Sequence, residues 1–111
     1  MITREINAYR MIHYTEGNNG TPSAGLIASI TCLHNSEYQG TLNFYTTEPP
    51  LNKVSSDGDP ELNFPKERLA GILDMLRNES PLFLGFFLQN NGNDDVIAGW
   101  LTTSEPSGDL T

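Results

Sequence analysis

The chain is short of cations, of cysteine and of long apolar runs, and each shortage excludes something. Six lysines and arginines stand against fourteen aspartates and glutamates, a formal net charge of −8 over 111 residues. A field of that sign repels nucleic-acid phosphate and anionic lipid, so generic binding to either is excluded. Cys32 is the only cysteine, and no intrachain disulfide can form. Together with two histidines it also leaves too few soft donors for a structural zinc centre, so no metal is expected. The longest apolar run, Leu82–Leu88, is far below the ~20 residues a membrane-spanning helix needs. Met1-Ile2-Thr3-Arg4-Glu5 lacks the apolar stretch of a signal peptide, which makes the cytoplasm the expected location.

Signatures of catalysis are also missing. The chain has no glycine-rich phosphate loop, no Gly-x-Ser-x-Gly elbow and no His-Glu-x-x-His pair, and no cofactor is expected. Asp57-Gly58-Asp59-Pro60-Glu61 offers oxygen ligands without the length or spacing of a calcium loop. Cys32 and His34 share a strand face, but residues two apart lie roughly 7 Å apart at Cα and need not meet. A buried cysteine acts as a small hydrophobe, and no catalytic residue is assigned.

What is present is the pattern of one α+β domain. Hydrophobic residues make up 37% and charged residues 18%, enough for a single core over residues 1–103, with 104–111 a frayed tail. Ile2–Tyr14 alternates as a strand, Thr15–Ser23 is loop chemistry, and Leu26–His34 is a second strand. Asn35–Gly40 turns into a third, Thr41–Thr46. Glu48–Pro60, with three prolines and Ser55-Ser56-Asp57-Gly58-Asp59, reads as a flexible connection suited to a lid or recognition loop. Pro65 opens a helix whose Leu69, Ile72, Leu73 and Leu76 form one apolar stripe. Pro81 forbids its continuation past Ser80. Leu82–Gln89 and Val96–Thr103 are then two strands joined by the turn residues Asn90–Asp95. The expected fold is a mostly antiparallel sheet in the order β-β-β-α-β-β, with one helix packed on one face.

One feature exceeds what such a fold requires. In Leu82–Gln89, Leu82, Leu84, Phe86 and Leu88 take one face and Phe83 and Phe87 the other. In Val96–Thr103, Ile97, Gly99 and Leu101 oppose Val96, Ala98 and Trp100. A sheet covered on one side presents polar residues on the other. A second covering is therefore needed: the sheet curled on itself, a loop folded back, or another subunit. A homodimer through this surface is the leading expectation.

The same face could instead line a pocket between sheet and helix, rimmed by Tyr9, Tyr45 and Trp100. Arg4 and Arg10 fall on the apolar parity of the first strand, where a guanidinium either makes a salt bridge or recognises an anion. The candidate binding residues are thus Phe83, Phe87, Trp100, Tyr9, Tyr45, Arg4 and Arg10. The functional class that follows is a non-enzymatic accessory or binding protein. The alternatives are a small-molecule-binding protein or small enzyme, and an acidic inhibitor of a basic nucleic-acid-binding protein.

Overall fold

The first strand divides at Asn7. In the computed structural model, which describes residues 2–14, 25–88 and 96–103, Ile2–Ile6 (β1) and Ala8–His13 (β2) belong to different sheets. β1 pairs antiparallel with Leu82–Leu88 (β7), which pairs with Val96–Thr102 (β8). β2 pairs antiparallel with Leu26–His34 (β3). The second sheet continues through Glu37–Tyr45 (β4) and Pro60–Pro65 (β6) to the short Lys53–Val54 (β5), in the order β2-β3-β4-β6-β5. The loop Thr15–Ser23, the turn Asn90–Asp95 and the tail Ser104–Thr111 lie outside the described residues.

A mostly antiparallel arrangement with one helix is therefore correct, but a single sheet is not. Two sheets face one another, and the fully buried side chains come from both: Ile30, Leu42, Phe44 and Leu62 from one, Leu84 and Phe86 from the other. The facing sheet is thus the missing cover for the Leu82–Leu84–Phe86 side of β7. It also explains a parity error in the first strand. The side of a chain that faces the core in one sheet faces solvent in the sheet opposite, so core-facing parity inverts as the strand crosses. Ile6 is buried before the break, whereas Tyr9 and Met11 pack on the core after it. Arg10 and Ile12 are left exposed, and Arg10 does not share Arg4's side.

Polar residues set the crossing point. Asn7 donates its backbone N–H to the carbonyl of Leu33 (2.9 Å), and its side-chain amide exchanges two hydrogen bonds with Asn35 (2.8 and 2.9 Å). Asn35 and Ser36 both have positive φ, the geometry of a two-residue hairpin turn. β4 therefore starts at Glu37, earlier than turn composition suggested.

The segment Glu48–Pro60 is not the open loop its composition suggested. β5 forms a hairpin with the start of β6, closed by Ser55 N–H to Asp59 O (2.8 Å) and Gly58 N–H to Ser55 O (2.9 Å). Gly58 sits at φ +85°, where a side chain would be strained. Asn63 holds the preceding stretch, donating its backbone N–H to Asn52 Oδ1 (2.6 Å) and its side-chain amide to Leu51 O (2.9 Å). β6 was missed because Glu61, Asn63 and Pro65 alternate with only Leu62 and Phe64. Its pairing with β4 is parallel, the one departure from the antiparallel expectation among the described residues.

Pro65 precedes a 3₁₀ turn, Lys66–Arg68, that leads into the helix Leu69–Asn78 (α1). Ile72 and Met75, with Arg68 of the preceding turn, face the end of β6 and the middle of β8. The second half of the helix, with Leu76 and Arg77, faces the β1–β2 junction. Ile72 is its one buried residue, while Leu69, Leu73, Met75 and Leu76 are half-buried against the core. Ile72→Ala should accordingly cost about 2–5 kcal/mol in urea denaturation, the range for truncating a buried aliphatic side chain, and Leu73→Ala clearly less. An equal loss at Leu73 would mean that the helix turns a different side to the core.

Candidate functional site

The outer side of β7 and β8 is where the unexplained apolar residues collect. Leu84 and Phe86 point inward, so Phe83, Gly85 and Phe87 point outward. Gly85 is paired across the ladder with Trp100, and the indole lies over it: a Cβ at Gly85 would stand 2.5 Å from Trp100 Nε1. Phe87 meets the same ring at 5.3 Å between centroids, inclined by 58°, a favourable tilted aromatic contact. Glycine provides the slot, tryptophan fills it, and phenylalanine flanks it. Phe83 is only 8% exposed within the single chain, whereas Phe87 and Trp100 remain half-buried and Ala98 beside them is exposed. Part of the second face is thus covered from within the chain.

Two cavities flank the helix. One, of about 430 Å³, lies between α1 and β8 and is lined by Phe64, Arg68, Ile72, Met75, Trp100 and Leu101 among others. The other, of about 460 Å³, lies at the helix C-terminus and includes Tyr9, Asn7, Arg77 and Glu79. Trp100 and Tyr9 therefore line different cavities. Tyr45 lines neither and is buried at the end of β4, with Leu26 and Pro65 as its ladder neighbours. Met75 and Arg68 were not singled out from sequence. Their helical spacing of seven residues, with Ile72 between, was the available signal.

Arg4 is committed internally. Its guanidinium donates to Asp59 Oδ1 (2.6 Å), Gln39 O (3.1 Å) and Gly58 O (3.0 Å), and lies 6.0 Å from the centre of the Phe86 ring. It closes one end of the space between the sheets, and Asp59 is engaged there too. Arg10 lies exposed on the outer side of β2.

On the outer side of the second sheet, Asn43 is 4% exposed and fully bonded. It accepts from Ser29 Oγ (2.6 Å) and donates to Glu61 Oε1 (2.8 Å) and Asn63 Oδ1 (3.0 Å). No buried side-chain polar atom lacks a partner among the described residues. That ladder is a structural tie between strands, with each member satisfied by the next.

Cys32 is completely buried, and burial pushes its thiol up to about 12. His34 lies 3.5 Å from Glu5 Oε2. Burial, ahead of the charges of Asp59 and Glu61, raises the Tyr38 phenol, which shares a hydrogen bond with Thr41 that acts the other way. The described residues bring no three His, Cys, Asp or Glu side chains together in a metal-holding group. No described helix is long and apolar enough to cross a membrane. Comparison with protein-family models, with curated proteins and with solved structures finds no match to this chain.

Two measurements follow. Gly85→Ala should displace the Trp100 ring, red-shifting its emission and costing about 1–3 kcal/mol, as overfilling a packed site does; unchanged emission would mean the ring does not occupy the slot. For Cys32, the folded thiol keeps its proton while the unfolded one releases it near pH 9. Its stability contribution is therefore intact below that pH and falls as pH rises from about 9 towards 12, by about 1.4 kcal/mol per pH unit. The wild type should lose stability more steeply than Cys32→Ala over that window, and should react slowly with thiol reagents at neutral pH. Parallel curves for the two proteins would place the thiol in contact with water.

Proposed function

We propose that the chain is a small non-enzymatic binding protein that assembles as a homodimer through the outer face of the β1-β7-β8 sheet. The observation that carries this reading is the half-buried Phe87–Trp100 pair beside exposed Ala98. Aromatic side chains that are packed on one side and open on the other are the usual anchors of protein interfaces. β8 adds to this: it is an edge strand among the described residues, and Val96–Thr102 contains no charged residue or proline to discourage pairing. The acidic surface serves solubility of the assembled protein.

A second reading, small-molecule binding, is favoured by the cavity between α1 and β8, whose volume falls within the roughly 300–1,000 Å³ of ligand sites. Inhibition of a basic nucleic-acid-binding partner has the net charge of −8 in its support.

Phe87→Asp tests the leading reading. The wild type should sediment as a dimer at micromolar concentration, and the variant as a folded monomer, because an unpartnered charge in an apolar interface is strongly unfavourable. A monomeric wild type would remove the homodimer.

A further inference from the structure

We propose that the cavity between α1 and β8 takes a small amphiphilic anion, an apolar chain or ring bearing one carboxylate, with Arg68 as its charge partner. This rests on the small-molecule reading of that cavity and adds the class of ligand.

The walls are supplied by Phe64, Ile72, Met75, Trp100 and Leu101, which suit an apolar body. Met75 and Trp100 are both half-buried, and an unbranched thioether in the wall adapts to ligands of different outline. Arg68 is the one ionisable residue in the lining. Arg4 and Lys53 are occupied by Asp59 and Glu61, but Arg68 has no hydrogen-bond or ion-pair partner among the described residues. A guanidinium fork matches a carboxylate in shape as well as charge.

Lys66 and Glu67 share the 3₁₀ turn with Arg68 and offset one another in charge. The rest of the chain is strongly acidic, with a net charge of −8. Its long-range field opposes an anion, so any preference for one must come from a local partner.

Trp100 is the only tryptophan and reports on the cavity directly. Its emission can be titrated with decanoate and, separately, with decanol, for the wild type, Arg68→Gln and Met75→Phe. The expected result is saturable binding of both probes to the wild type, with decanoate at least about tenfold tighter. Arg68→Gln should abolish that preference and leave decanol binding as it was. Raising the salt concentration should weaken decanoate binding alone. Met75→Phe, which fills the cavity, should weaken both probes. Arg68 is exposed, so its replacement should leave the unfolding curve unchanged.

Equal affinity of decanoate and decanol for the wild type overturns the anion assignment and leaves the cavity as an apolar site. Saturable binding of neither probe overturns the cavity reading itself. Binding that Met75→Phe does not alter would place the ligand on another surface, and overturns both.

Discussion

Leu84 and Leu62 each reach across the molecule into a place where the opposite sheet has no side chain. A Cβ on Gly40 would come within 2.7 Å of Leu84 Cδ2, and one on Gly99 would collide with Leu62. The exchange is reciprocal: β7 sends a leucine against a glycine of β4, and β6 sends one against a glycine of β8. Both leucines are fully buried as a result, and the two sheets come close enough for Phe44 and Phe86 to be buried too. Any side chain at Gly40 or Gly99 would displace the leucine that fills the space above it. Overpacking of this kind costs about 1–3 kcal/mol per site, a large share of a small domain's stability.

Polar contacts at the margins complete what this packing begins. Asn7 ties the point where the first strand changes sheets to the β3–β4 turn through its paired amide with Asn35. Arg4, three residues earlier in the middle of β1, ties that strand to β4 and to the β5–β6 turn. Arg4 and Asn7, three residues apart, thus carry connections to three parts of the second sheet. The contacts at Gly58 and Asp59 convert a proline-rich stretch, which by composition alone would be mobile, into part of the wall.

The candidate surfaces depend on the same arrangement. With the inner side of β7 committed to the facing sheet, the outer aromatics have only Gly85 to settle on, and Trp100 takes that slot. The helix supplies one buried side chain, Ile72. A cavity lies between the helix and β8. Trp100 belongs to both features, which places the proposed dimer surface and the proposed ligand cavity on two sides of one strand.

Local chemistry was legible where a short segment decides its own conformation. The helix from Pro65 and its end before Pro81 could be read from residues adjacent in the chain, as could the hairpin of Leu82–Gln89 and Val96–Thr103 and the burial of Cys32. The doubly apolar character of β7 was legible as well, and with it the need for a cover on both faces. The cover itself was not, because strand parity says that a face is apolar and says nothing about what lies opposite. Arg10 was misassigned for the same reason: only the crossing at Asn7 decides which parity faces inward after it. β6 escaped notice because a parallel strand between asparagines and a glutamate has no turn-bounded hairpin partner to announce it. Sequence determined the charge and those elements whose residues announce themselves locally. Tertiary structure alone decided the pairing of leucine with glycine across the sheets, the engagement of Arg4 and the availability of Arg68, since each depends on residues tens of positions apart being brought within a few ångströms.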